Sequence, residues 1–228
     1  MKRFWREVTV DAAGGAHAVL LDERGVKTPA RNALELPTPA LAEAVAAEWR
    51  DVGESVDPRV MPLTGLANAA LDLVMPDPAR FAEPLARYGA NDLLCYRAED
   101  RALAAEQAAA WDPLLDWARG RYDISFAIAE GVMPVDQPPA TIARLGEALL
   151  ALSPFQLAAV APLVTIGGSL IVALAVEAGA LSGETGWDAV TLDEMWQERR
   201  WGEDADAKAA RDARQQDWDA AVRFLTLL

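Results

Sequence analysis

The spacing of apolar residues changes near residue 37, and this change divides the chain into two regions. Residues 4–36 alternate between apolar and polar positions in short runs separated by glycine, proline and asparagine, which predicts small β-strands. From residue 38 the apolar period lengthens to about 3.6 residues, which predicts helices. We therefore expect an α+β protein, with a small β domain at residues 1–37 and a larger, mainly helical domain at residues 38–228.

The first predicted helix has a clear beginning and a clear apolar face. Thr38 has a side chain that can cap the helix, and Pro39 suits the first helical position. Leu41, Val45 and Trp49 then recur on one face. We expect this face to pack on the core, and Trp49 to be a core residue.

The segment "LAAVAPLVTIGGSLIVALAV", residues 157–176, is uncharged and long enough to cross a bilayer. Pro162 and the pair Gly167 and Gly168 interrupt it, and basic residues do not flank it. Two short buried helices, separated near the glycine pair, are therefore expected in place of a membrane span.

The runs "DLLCYRA" and "DISFAIAE" have the composition of two short strands, and a long amphipathic helix lies between them. Strands joined by a crossover of that length pair in parallel. The helical domain is thus predicted to contain a small two-stranded element.

A predicted helix at residues 184–201 contains the stretch "TLDEMWQERRWGED", which combines aromatic and charged side chains. At 100° per residue, Trp187, Val190, Glu194 and Trp201 fall on one stripe, and Trp196 falls on another side. If the stripe is buried, Glu194 requires a charged partner. If it is exposed, the tryptophans form a protein-binding anchor.

Charge and cysteine content restrict the partners and the compartment. The net charge of −14 disfavours nucleic acid and anionic lipid as partners, because both would be repelled. Cys95 is the single cysteine, so the chain cannot form an internal disulfide. The first ten residues lack the apolar run of a secretory signal. We expect a cytoplasmic protein that does not insert into membranes.

Motifs for catalysis or cofactor binding are absent from the sequence. Neither nucleotide-binding glycine pattern occurs, and one histidine, His17, with one cysteine, Cys95, is too few for a typical metal site. We expect no metal and no cofactor. The alternative to a binding protein is a small-molecule enzyme that uses carboxylates near Glu130 and Asp136.

Seven stretches occur in order between about residues 27 and 202: "TPARNALELPTPALAEAVAAEW", "MPLTGLANAALD", "NDLLCYRAE", "WDPLLDW", "EGVMPVDQPP", "LVTIGGSLIVALAV" and "LDEMWQERRWG". Together they resemble the assembly chaperone that handles the alpha subunit of the ATP synthase F1 sector. The chain begins almost directly at the β region, so it resembles a bacterial homologue of this mitochondrial family.

The resemblance implies a non-enzymatic monomer that holds the free alpha subunit soluble until a beta subunit displaces it. The functionally important acidic position of the family falls on Glu194, which is followed by Trp196, Gln197 and Trp201. These four residues are the expected client-binding residues. A structural role for Glu194 remains the alternative, and no family motif matches the segment after Gly202.

Overall fold

The computed structural model describes residues 2–13, 15–131 and 133–228. They form two compact units. The first contains the residues up to Pro78 together with Ser153–Ala159 and Ala220–Leu228, and the second contains Ala79–Leu152 and Val160–Asp219.

The first unit begins with a small antiparallel sheet of strands β1 (Val8–Ala13), β2 (Ala16–Leu21), β3 (Arg24–Gly25) and β4 (Glu35–Leu36). Strand β2 is central, because it pairs with β1 from Val8 opposite Leu21 onwards and also pairs with β3 and β4. The alternation of the sequence is visible in the burial of Val19 and Leu21.

Helix α1 (Pro39–Arg50) covers this sheet and begins as predicted. The Thr38 hydroxyl accepts a hydrogen bond from the Leu41 amide at 3.1 Å, and Pro39 is the first helical residue. Leu41, Val45 and Trp49 are buried. Since α1 packs on β1 and β2, the first unit continues past residue 37. The division into domains at residues 1–37 and 38–228 stays a prediction.

Replacing Trp49 with arginine is expected to lower the free energy of unfolding by about 3 kcal/mol, because a buried cation would replace a packed indole. The ring centroids of Trp49 and Trp5 lie 5.4 Å apart. The nearby Glu48 carboxylate is already engaged, because it accepts hydrogen bonds from the Leu63 and Thr64 amides. Urea unfolding measures the loss.

Trp49→Phe is the matched control, because it retains an apolar ring and removes an indole N–H that has no hydrogen-bond partner among the described residues. We expect Trp49→Phe to change stability by less than about 1.5 kcal/mol. A Trp49→Arg protein that is as stable as the unmodified protein would contradict a core role for Trp49.

The first unit continues through α2 (Pro62–Ala69) and a π-helical turn at Ala70–Val74. Asp72, in that turn, accepts hydrogen bonds from the Thr28 hydroxyl at 2.6 Å and the Asn32 amide group at 2.8 Å. These bonds join the loop between β3 and β4 to the helical part of the same unit.

Helix α3 spans Pro78–Ala86, and the second unit begins at its second residue, Ala79. The unit continues with β5 (Tyr96–Arg97), α4 (Arg101–Tyr122), β6 (Ala129–Glu130) and α5 (Pro139–Leu150). Strands β5 and β6 pair in parallel, which confirms the predicted two-stranded element. Cys95 precedes the strand, in a 3₁₀ turn at Leu93–Cys95. The α+β fold class is thus confirmed.

The apolar segment forms two helices, α6 (Pro154–Gly167) and α7 (Leu170–Glu177), as predicted. Gly168 separates them in the left-handed conformation with φ of 68°, and the Ser169 side chain caps α7. Pro162 lies within α6 and does not end it. Among the described residues, no helix has both the length and the apolarity that a membrane crossing needs.

The chain ends with α8 (Gly183–Trp201) and α9 (Ala205–Thr226). The spacing of apolar residues in the last helix predicts an inward face made of Trp218, Ala221, Val222, Leu225 and Leu228, and this prediction is partly wrong. Trp218 and Ala221 are fully buried, but Leu225 is half-buried and Phe224 is buried in its place. Phe224 stacks on Phe155 within the first unit, with ring centroids 6.4 Å apart. Val222 and Leu228, also predicted to face inward, are half-buried.

Candidate functional site

The first half of α8 packs into the core of the second unit. It contacts Trp218 of α9 in two ways. The Trp187 and Trp218 ring centroids are 5.8 Å apart, and the Trp218 indole N–H donates to the Gly183 carbonyl at 2.9 Å. A Cβ on Gly186 would lie 3.1 Å from the Trp218 ring, so glycine permits this close approach. The packing fixes α8 against α9.

The second half of α8 is joined to α9 by ion pairs. Arg214 donates from Nη2 to both carboxylate oxygens of Glu194, at 2.6 and 2.9 Å. One turn further along α8, Glu198 pairs with Arg211 at 2.7 Å, and the Arg211 side chain is only 10% exposed. The Glu194 side chain remains 41% exposed. Glu194 is therefore both paired and reachable from solvent.

A groove of about 230 Å³ lies beside these ion pairs, and we call it the α8–α9 groove. Three of the four expected client-binding residues line it, namely Glu194, Gln197 and Trp201. Trp196 does not line it. The remaining lining residues are Glu198, Gly202, Asp204, Ala207 and Arg211.

Trp196 instead supports the exposed end of α8. Its ring lies edge-on to that of Trp201, with centroids 5.7 Å apart, and the Arg200 guanidinium lies 5.0 Å from the Trp196 ring centroid. Trp201 is 70% exposed, although it belongs to the stripe that begins at the buried Trp187. The stripe thus leaves the core along its length, because half of the residues in the second half of α8 are charged.

This arrangement combines features that favour protein binding. Exposed tryptophan offers a large, rigid apolar surface, and such residues contribute most strongly to binding when a partner excludes water from them. Carboxylates and arginines beside it can exchange their internal ion pairs for pairs with a partner.

The α9 side of the groove was not among the predicted site residues. Arg211 and Arg214 are three residues apart on α9, and they face Glu194 and Glu198, which are four residues apart on α8. That complementary spacing of opposite charges on two consecutive helices was the available signal. Asp204, which also lines the groove, caps the start of α9 by accepting from the Ala207 amide at 2.9 Å.

The carboxylates of the enzyme alternative do not form a common site. Glu130 and Asp136 are both exposed. Glu130 lines a hollow of about 550 Å³ with Arg97, Glu99 and Arg101, but Asp136 does not line it.

Cys95 has no features of a nucleophile. It is fully buried, and burial, with the nearby Asp92 charge, raises the pKa of its thiol to about 12. The thiol is therefore protonated at neutral pH. In the described part of the chain, no cluster of three or more histidine, cysteine, aspartate or glutamate residues is arranged to hold a metal ion.

Comparison with known proteins identifies the family. The model of the ATP12 chaperone protein family matches residues 2–119, slightly more than half of the chain. The mitochondrial protein atp12 of Schizosaccharomyces pombe is 27% identical over 219 residues, which cover 90% of this chain and 75% of that protein.

Solved structures agree over nearly the whole chain. The crystal structure of Atp12 from Paracoccus denitrificans is 43% identical and has a TM-score of 0.93, and the match covers 99% of this chain and 97% of that one. A mutant of P. denitrificans Atp12p matches with 42% identity, the same TM-score and the same coverage. The chain therefore belongs to the ATP12 chaperone family, and it is an assembly chaperone of ATP synthase, not an enzyme.

Proposed function

We propose that this protein binds the free alpha subunit of the F1 sector through the α8–α9 groove and prevents its aggregation until a beta subunit displaces it. It acts as a cytoplasmic monomer, without nucleotide or another cofactor. A subunit of a ring exposes a large apolar interface before assembly, and such surfaces aggregate when they are not covered.

The exposed indole of Trp201 is the observation that supports the proposal most directly. It lines the α8–α9 groove together with Glu194 and Gln197, and all three are expected client-binding residues. Release by a competing subunit requires that the client interface be reversible. The small groove and the half-exposed ion pair between Glu194 and Arg214 suit such an interface, because an exposed pair contributes only about 0–1 kcal/mol.

Light scattering tests this function. The alpha subunit is diluted from denaturant with and without an equimolar amount of this protein, in the absence of nucleotide. We expect scattering to be suppressed, and the alpha subunit to be transferred when the beta subunit is added. Aggregation that is unchanged by the folded protein would contradict the assignment of the alpha subunit as the client.

Replacing Trp201 with alanine is expected to weaken binding of the alpha subunit by about 2 kcal/mol, or about 30-fold, because the largest exposed ring of the groove is removed. Stability should change by no more than about 0.5 kcal/mol, since the side chain lies mostly in water. Titration calorimetry and thermal unfolding measure the two quantities.

Leu150→Ala is the matched control, because Leu150 is an exposed apolar residue at the end of α5 and does not line the groove. It should bind the alpha subunit as the unmodified protein does. Equal losses in the two variants would indicate nonspecific apolar binding, and no loss in Trp201→Ala would exclude Trp201 as an anchor.

A further inference from the structure

A second concave site lies in the second unit, and it shares no lining residue with the α8–α9 groove. It is a mostly apolar hollow of about 660 Å³, and its walls include the side chains of Tyr88, Leu93 and Tyr96. Gly131 and Gly168 also line it. We call it the tyrosine hollow.

Three of the stretches that carry the family resemblance meet at this hollow. Leu93 and Tyr96 belong to "NDLLCYRAE", Gly131 belongs to "EGVMPVDQPP", and Gly168 belongs to "LVTIGGSLIVALAV". These stretches are distant along the chain. The proposed function through the α8–α9 groove uses none of them.

Backbone hydrogen bonds connect the segments that line the hollow. The Leu93 amide donates to the Gly168 carbonyl at 3.1 Å, and the Gly131 amide donates to the Arg97 carbonyl at 2.8 Å. Both glycines have positive φ values, of 79° at Gly131 and 68° at Gly168. Glycine adopts this conformation without strain, and at both positions it also leaves the wall without a side chain.

Three of the residues that line the hollow, Arg87, Tyr88 and Asn91, have side chains with hydrogen-bond donors. The Arg87 guanidinium is 75% exposed, and the Tyr88 hydroxyl and the Asn91 amide nitrogen donate to no residue in the described part of the chain. The Asn91 oxygen is already engaged, because it accepts from the Tyr96 hydroxyl at 3.3 Å. A ligand that supplies hydrogen-bond acceptors would pair with these donors.

Charge defines the ligand further. Arg87 is the charged residue among those that line the hollow, in a chain whose net charge is −14. Its partner Glu83, at 2.7 Å, is 66% exposed, and an exposed pair of this kind contributes only about 0–1 kcal/mol. Arg87 can therefore exchange Glu83 for a carboxylate that enters with a ligand.

We propose that the tyrosine hollow is a second client contact, which binds an acidic, aromatic segment of the unassembled subunit. An aromatic or long aliphatic side chain of that segment packs against Tyr88, Leu93 and Tyr96, and a neighbouring carboxylate pairs with Arg87. The inference rests on the proposed chaperone function, and it adds the chemistry of one bound segment.

A peptide pair tests the chemistry on the chaperone alone. Acetyl-Gly-Phe-Asp-Gly-amide and the same peptide with asparagine in place of aspartate are titrated into isotope-labelled protein and followed by NMR. We expect the aspartate peptide to shift the amide signals of Tyr88, Leu93 and Gly168, and to bind about 5-fold more tightly than the asparagine peptide.

Arg87→Gln should abolish that 5-fold preference without altering the fold, because Arg87 is exposed. Arg80→Gln is the matched control: it makes the same change of charge on α3, which ends one residue before Arg87, and Arg80 does not line the hollow. Equal effects of the two substitutions would overturn the proposal, as would signal shifts confined to residues outside the hollow.

A second experiment tests the client itself. Benzoylphenylalanine, a photoreactive residue, replaces Tyr88, and the variant is mixed with the purified alpha subunit. Photo-crosslinking to an alpha-subunit peptide that contains an aromatic residue beside a carboxylate would support the proposal. Suppressed aggregation without any crosslink from position 88 would overturn the proposal that the tyrosine hollow binds the client, and it would leave the proposed chaperone function intact. Peptide binding without suppressed aggregation would support the hollow chemistry and reject the alpha subunit as client.

Discussion

Glu194→Lys is expected to eliminate protection of the alpha subunit and to weaken its binding by about 100-fold or more, while the protein stays folded. The substitution places a cation opposite Arg214, which now donates to both Glu194 oxygens, and reverses the charge at the centre of the groove. A misplaced charge at an interface costs several kcal/mol, whereas an exposed ion pair contributes about 0–1 kcal/mol to folding.

Two control variants distinguish a direct contact between Glu194 and the client from a role of Glu194 in orienting Arg214. Glu147→Lys makes the same change of charge at an exposed position of α5, outside the groove, and should protect the alpha subunit normally. Arg214→Gln removes the intramolecular partner. If Glu194 contacts the client, Arg214→Gln retains binding; if Glu194 acts by orienting Arg214, both variants lose it.

Circular dichroism and thermal unfolding provide the remaining check on Glu194→Lys. The expected result is unchanged helix content and a loss of stability of no more than about 1 kcal/mol. A large fall in helix content or in melting temperature would make Glu194 a structural residue, and loss of protection would then say nothing about a client contact.

Features set by local chemistry were predictable from the sequence. The start of α1 follows from the capping chemistry of Thr38 and Pro39, and the separation of α6 from α7 follows from Gly168, which can adopt positive φ. The parallel pairing of β5 and β6 follows from the length of the crossover between them.

Features that depend on which helices become neighbours were not predictable. The periodicity of α8 placed Glu194 on an aromatic stripe, but it could not show that Arg214 of α9 would neutralise it. The same limit applies to the last helix, where the position of Phe155 explains the burial of Phe224. For the candidate site, the family resemblance indicated Glu194, Trp196, Gln197 and Trp201, of which all but Trp196 line the groove, and the fold added the arginines. Their role in client binding stays a prediction.

Asp92→Ala is expected to lower the free energy of unfolding by about 4 kcal/mol, because it leaves several buried donors without an acceptor. Asp92 is fully buried. Its carboxyl group accepts from the Ser169 hydroxyl at 2.7 Å and from the Ile171 and Leu94 amides, both at 3.1 Å. It thus joins the start of α7 to the turn that lines the tyrosine hollow.

Ser169→Ala is the control for this network, because it removes one hydroxyl and the cap of α7 but retains the carboxyl group. We expect it to cost about 1 kcal/mol. Urea unfolding of both variants gives the comparison, and equal losses would show that Asp92 acts only through Ser169.

The loss in Asp92→Ala should also depend on pH. Burial raises the pKa of the Asp92 carboxyl from 3.8 to about 6, although its hydrogen bonds oppose this shift. A raised folded-state pKa means that the native protein binds the proton more tightly than the unfolded chain. The associated stability is fully present below pH 3.8 and is lost as the pH rises through about 6.

One pKa unit corresponds to 1.36 kcal/mol, so the whole pH-dependent contribution of Asp92 is about 3 kcal/mol. Between about pH 7.5 and about pH 5.5, the unmodified protein should gain about 1 kcal/mol relative to Asp92→Ala. Urea unfolding of both proteins at the two pH values measures this difference. The contributions of the other titrating groups cancel in the comparison, because the two proteins share them. A difference that does not change with pH would mean that Asp92 stays ionised in the folded protein, held in that state by the amides at the start of α7.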